Sequence, residues 1–203
     1  MSFYSFAKGL VSICCHLLFR IKIEGLENVP KDKAFVVCAN HKSNLDPPML
    51  GLSMPVRLRY MAKEELFRNK IFGKIITELG AFPIRRGKSD VGALRAAMKM
   101  LAAGEPIAVF PEGGRSHNEY MRKGKQGAAL IAVKSGVDIL PIGIKGKYKL
   151  FGKIVVRVGE VISLSEYFDK KLESGELQEL TDNVIMPAIA KLAEVKTYED
   201  RNS

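Results

Sequence analysis

Ala34-Phe35-Val36-Val37-Cys38-Ala39-Asn40-His41-Lys42-Ser43-Asn44-Leu45-Asp46-Pro47-Pro48 opens on an apolar run and ends in polar residues, the pattern of a buried strand that delivers a chemical loop at its carboxyl end. Pro47-Pro48 keeps the preceding residue out of a helix, so Asp46 suits an N-cap and Pro47 the first helical position. Working outward, further short apolar runs predict strands at 21–24, 57–61, 81–84, 106–110, 138–144 and 153–158 beside the one at 34–39. Helical patterns fall between and after them, at about 47–53, 70–79, 89–103, 125–135, 165–174 and 176–195. In the third of these, Val91, Leu94, Ala97, Met98 and Leu101 recur at helical spacing behind a Ser89-Asp90 cap, and Gly104 closes the end. Interleaved strands and helices predict an α/β fold, a mostly parallel or mixed sheet flanked by helices. No repeat, low-complexity tract or linker divides residues 21–203, which read as a single domain.

Residues 1–20 are apolar and aromatic, with Phe3, Tyr4 and Phe6 at the start, but Lys8, Gly9, His16 and Arg20 interrupt them. A membrane span needs about 20 predominantly apolar residues, so the segment reads as an amphipathic helix lying on a membrane surface. The alternative is a first helix packed on the protein's own core. A signal peptide is not expected, since no basic leader precedes the apolar part and no small-residue cleavage site follows it.

The chain of 203 residues carries a formal net charge of +10, which calls for an anionic partner. An aromatic share of 8% with no Trp leaves little for base stacking, and no nucleic-acid motif is present, so a lipid surface is expected and nucleic acid is not. Cys14, Cys15 and Cys38 make no disulfide framework, which points to a reducing compartment. Strand alternation makes Cys38 a small core residue rather than a nucleophile, although it lies close to His41.

A neutral imidazole is suited to taking a proton near neutral pH, and a carboxylate beside it fixes its tautomer, so His41 and Asp46 are a candidate general base and its orienting partner. The bland alternative is a loop histidine capped by a turn aspartate. On a continuous helix five residues would set the two side chains about 140° apart, so they meet only across a loop. A second cluster, Phe110-Pro111-Glu112-Gly113-Gly114-Arg115-Ser116, also follows an apolar run. Its glycines admit a ligand close to the backbone, Arg115 offers a fork of donors for phosphate, and Ser116 adds a hydroxyl. It lacks the endings of nucleotide and dinucleotide loops. Its alternative reading is a polar turn with Glu112 paired to Arg115. A third cluster, Gly80-Ala81-Phe82-Pro83-Ile84-Arg85-Arg86, is a strand ending in cations. His16, His41 and His117 lack metal-ligand spacing, so no metal is expected.

Taken in order, Asn40-His41 to Asp46-Pro47, Gly80 to Arg86, Phe110 to Ser116 and Leu140-Pro141-Ile142-Gly143-Ile144 resemble the four blocks of the glycerolipid acyltransferase family, above all its 1-acyl-glycerol-3-phosphate (lysophosphatidic acid) branch. The resemblance implies that His41 acts as base on a glycerol hydroxyl, with Asp46 orienting it and Asn40 flanking. It implies that Arg86, with Arg85 beside it, meets the glycerol phosphate. Glu112, Gly113, Arg115 and Ser116 would bind substrate, Lys125 would follow as a further cation, and Pro141 would mark an acyl-side block. Gly114 departs from the family, which often has Thr there. The expected activity is transfer of a fatty acyl group from acyl-CoA or acyl-carrier protein to lysophosphatidic acid, without a further cofactor, by a peripheral or monotopic membrane protein on the cytoplasmic face. Another acceptor, such as glycerol-3-phosphate, is the alternative in the same class, and a non-enzymatic basic binding module the alternative outside it. The absence of G-x-S-x-G favours direct attack on the thioester over an acyl-enzyme, and backbone N–H groups around Gly113 and Gly114 are candidate oxyanion donors.

Overall fold

The computed structural model describes residues 3–84, 91–117, 119–168, 170 and 172–201. Helix α1 (Phe3–Leu18) runs directly into strand β1 (Phe19–Glu24). Then follow β2 (Val36–Ala39), α2 (Asp46–Ser53), β3 (Arg59–Lys63), α3 (Lys70–Glu78), β4 (Ala81–Ile84), α4 (Val91–Ala102), β5 (Ile107–Val109), α5 (Gly127–Ser135), β6 (Ile139–Gly146), β7 (Gly152–Val158), α6 (Ser174–Leu180) and α7 (Met186–Ala193). The strands form one seven-stranded sheet in the order β1-β7-β6-β2-β5-β3-β4. Every neighbouring pair is parallel except β6 and β7, joined by a short antiparallel turn, so the expected mixed sheet is present. Because β2, β3, β5 and β6 run the same way, their carboxyl ends and the loops that leave them gather at one side of the sheet, where open α/β sheets bind their ligands.

Side-chain alternation along β2 divides the core. Val36 and Cys38 face α4, α5, α6 and α7, while Phe35, Val37 and Ala39 face α1 and α2. Cys38 is fully buried, and burial pushes its thiol pKa far up, which keeps it a protonated core side chain as the alternation predicts. On the first face α7 lies so close to β6 that a Cβ on Gly143 would stand 2.2 Å from the Ala193 backbone nitrogen. Only glycine permits that approach.

Among the described residues of 165–173 a short 3-10 turn, Ser165–Tyr167, stands in place of the expected helix, and Ser174 already opens α6. The chain is pinned there by Leu164, which is fully buried and donates its N–H to Asp138 Oδ1 at 3.0 Å, while Tyr167, Phe168 and Leu172 pack against the core. The helix expected over 176–195 is α6 and α7 joined through one π-turn, Thr181–Ile185. The Ser89-Asp90 cap lies outside the described residues, whereas Gly104 closes α4 at φ 79° with its N–H on Leu101 O.

Candidate active site

The loop after β2 brings His41 and Asp46 together. His41 Nδ1 stands 2.8 Å from Asp46 Oδ2. Asp46 does not cap α2, correcting the sequence expectation: it occupies the first helical turn and its carboxylate turns back up the chain. The reason is that its oxygens are already taken. Oδ2 accepts the backbone N–H groups of Lys42 at 2.6 Å and Ser43 at 2.7 Å, and Oδ1 accepts the Tyr148 hydroxyl at 2.7 Å. With Asp46 only 1% exposed, these donors replace the water it lacks. Burial first, and the Asp46 charge second, push the Tyr148 phenol pKa up, so Tyr148 stays a donor. The His41 ring stacks on Phe110 at 4.2 Å between centroids and 22° between planes, which fixes its orientation. A carboxylate on Nδ1 leaves the other ring nitrogen with the lone pair, the arrangement a base requires.

The loop after β5 is sewn to the first one. Glu112 is 1% exposed; its Oε1 accepts the His41 N–H at 2.7 Å and its Oε2 the Arg122 N–H at 2.8 Å. It therefore clamps two backbones and makes no pair with Arg115 of the kind the polar-turn reading supposed. Burial holds its carboxyl pKa above the ordinary glutamate value, and the two N–H groups pull it part of the way back. Ser116 donates its N–H to His41 O at 2.7 Å and its hydroxyl to Tyr120 O. Gly113 sits at φ 64°, with its N–H spent on Phe110 O and with Lys125 so close that a Cβ would meet its Cε at 2.8 Å. Asn40, 1% exposed, reaches across to β6, donating to Ile144 O at 2.9 Å and accepting from Ile144 N at 2.7 Å, so its amide continues the ladder between the two strands. Pro141 is buried within β6, its carbonyl accepting from Gly159 N–H.

A cavity of about 790 Å³ opens at His41. Its walls are mostly apolar, drawn from α1, α2, β3 and α3 and including Val11, Leu52, Phe72 and Ile75. Gly114, Arg115, His117 and Arg122 line it as well. In this wall the Tyr60 hydroxyl is buried without a partner, abutting Gly51 where a Cβ would stand 3.0 Å away. Of the residues singled out in the sequence, His41 and Arg115 thus share the cavity. Glu112, Ser116 and Lys125 line a second space of about 670 Å³, which shares Arg122 with the first, and Asn40, Gly113 and Pro141 line neither. Arg85 and Arg86 lie outside the described residues. Among the described residues no group of three or more His, Cys, Asp or Glu side chains is placed to hold a metal.

Two residues were missed in the sequence. Arg122 lines the cavity beside Arg115, and its Nη1 would stand 2.9 Å from a Cβ on Gly114, so the guanidinium lies where a side chain at 114 would be. The basic run Arg122-Lys123-Gly124-Lys125 is the signal available for it in the sequence. Tyr148 had no signal, being a lone tyrosine among lysines.

A family model described as Acyltransferase matches residues 20–145. The chain is similar to the 1-acyl-sn-glycerol-3-phosphate acyltransferase of Bacillus subtilis (strain 168), 29% identical over 170 residues that cover 81% of this chain and 84% of that protein. It is similar to the chloroplastic 1-acyl-sn-glycerol-3-phosphate acyltransferase of Arabidopsis thaliana at 36% identity over 147 residues, 71% of this chain and 41% of that one. Among solved structures it matches the 1-acyl-sn-glycerophosphate acyltransferase PlsC of Thermotoga maritima with a TM-score of 0.73 at 29% identity, covering 93% of this chain and 79% of that one.

Proposed function

The chain belongs to the acyltransferase family, and from that premise we propose that it transfers a fatty acyl group from a thioester to the free sn-2 hydroxyl of 1-acyl-glycerol-3-phosphate, giving phosphatidic acid. The observation that carries this is the placement of one oriented imidazole at the end of a largely apolar cavity whose rim holds two arginines. The acyl chains take the apolar part; Arg115 and Arg122 meet the phosphate with charge-assisted hydrogen bonds.

In the reaction His41 removes the acceptor hydroxyl proton through its second ring nitrogen while Asp46 holds the first. The oxygen attacks the thioester carbonyl, the tetrahedral intermediate collapses with loss of the thiolate, and the imidazolium returns the proton to that sulfur. Asp46 stabilises the imidazolium by charge, and Tyr148 with two backbone N–H groups holds Asp46. Gly113 N–H is committed to Phe110 O, so Gly114 is the better candidate of the two for the oxyanion.

Membrane attachment belongs to the same reading. Along α1 the residues Phe3, Phe6, Leu10, Ile13 and Leu17 form an exposed apolar stripe, while Tyr4, Lys8 and Val11 on the other side line the cavity. No helix among the described residues is long and apolar enough to cross a membrane. An interfacial α1 on the cytoplasmic leaflet would open the cavity toward its lipid substrate. The test is acyl transfer by the purified protein to lysophosphatidate and, separately, glycerol-3-phosphate, with acyl-CoA and acyl-carrier protein as donors in turn. Turnover of lysophosphatidate is expected; turnover of glycerol-3-phosphate alone would replace the acceptor, and none with either would refute the reading.

A further inference from the structure

The turn between β6 and β7 is apolar where it should be polar. Leu150 and Phe151 at its tip are 64% and 63% exposed, although a two-strand turn in water is ordinarily built from Gly, Asn, Asp and Ser. Phe151 adopts φ 57°, a left-handed conformation that a bulky residue occupies at a cost. Exposed Lys147, Lys149 and Lys153 surround the pair, and no acidic residue occurs from Lys145 to Arg157. The turn is also tied to α1: Phe151 N–H donates to Leu18 O at 2.7 Å, and Arg20 Nε donates to Phe151 O at 3.0 Å. Leu17 and Leu18, which end α1, are exposed next to this junction. The apolar stripe of α1 therefore continues onto the turn, and the lysines add a cationic rim.

We propose that the 147–153 turn is a second membrane contact, in which Leu150 and Phe151 enter the interface of an anionic bilayer while Lys147, Lys149 and Lys153 meet its headgroups. Charge complementarity selects the occupant. An apolar protein partner would leave three lysines without counter-charges, whereas an anionic lipid surface receives both kinds of side chain together. Two contacts, one along α1 and one at the turn, fix the rotation of the domain about the helix, which a single amphipathic helix leaves free. The choice of a bilayer rests on the membrane reading of α1, but the two contacts are separable by variants.

The chain has no tryptophan, so Leu150→Trp places a sole reporter at the tip. With phosphatidylglycerol vesicles its emission is expected to shift to the blue and to be quenched by lipids brominated on their acyl chains. Emission that stays that of a water-exposed indole while the protein co-sediments with the vesicles would overturn the turn contact and leave α1 docking standing. In a second arm, the double variant Leu150→Ser/Phe151→Asn should lose about ten-fold or more in vesicle partition, a loss that persists when added salt screens the lysines and weakens binding of both proteins. Asparagine tolerates the left-handed conformation, so the melting temperature and the turnover of a monomeric short-chain lysophosphatidate should be retained. Unchanged partition, or loss of that turnover as well, would overturn the proposal. So would weakened binding of an acidic carrier protein with partition intact. A parallel Phe6→Ser/Leu10→Ser/Ile13→Ser variant reports on α1 alone.

Discussion

The loops that leave β2 and β5 stand side by side at one end of the sheet, but they are built by opposite rules. From Asn40 to Asp46 every polar group tied to the chemistry is held: Asn40 in a strand ladder, Asp46 by four donors, and His41 between a carboxylate and a ring. From Arg115 to Arg122 the cations are exposed at the cavity rim, and Glu112, buried just before them, serves the backbone. A base works only at one geometry, whereas a phosphate can be met from several directions by long flexible cations. Changes in the first loop should therefore strike turnover, and changes in the second should strike substrate affinity.

The largest effect expected is that of His41→Ala, a loss of roughly 10²–10⁴ in kcat with an unchanged melting temperature, since the ring makes one side-chain bond and a stacking contact. Asp46→Asn comes next. It presents an amide to a site that supplies only donors, so kcat should fall about as far and stability should drop by about 1–3 kcal/mol as well. A folded Asp46→Asn enzyme of near-native turnover would erase the contrast between the loops. On the cationic side, Arg115→Ala and Arg122→Ala should each raise KM for lysophosphatidate about ten-fold, the low end for a lost charge-assisted bond at an exposed site, with kcat little changed. A kcat defect in either would make that arginine part of the transition-state machinery. Smaller again is Tyr148→Phe, which removes one of the bonds to Asp46 and should lower kcat several-fold while leaving KM alone.

What could be read beforehand follows from range. The strand alternation around Val36 to Ala39, the H-x4-D loop and the glycine-arginine cluster are local patterns, and each is where the sequence places it. The roles of Asp46 as a turned-back acceptor and of Glu112 as a clamp depend on groups far along the chain: Tyr148 lies 102 residues from Asp46, and His41 lies 71 from Glu112. No period or spacing carries such pairings. Arg122 has no separate signal for a related reason: four neighbouring basic and glycine residues are equivalent on paper, and only the packing of the chain across Gly113 and Gly114 brings Arg122 to both spaces and Lys125 to the second alone.

Glu112 offers the finest test of the comparison, because it asks whether the clamp between the two loops works by shape or by charge. Burial raises its folded pKa above the unfolded value, with the Arg122 and His41 N–H groups opposing that rise only in part. Between the two values the folded protein binds more protons than the unfolded chain. Stability from this group is therefore fully present below the ordinary glutamate pKa and is lost as pH rises through the raised one, with no further change above it. Glu112→Gln is permanently neutral and keeps one acceptor for the two backbone donors. It should match the native protein in melting temperature at acid pH and lack this decline on titration upward, while turnover at a fixed pH changes less than in the His41, Asp46 and Tyr148 variants. A native-like decline in the variant would assign it to other groups. A collapse of turnover would show that the charge at 112 reaches His41 through the backbone it holds, making the second loop part of the first.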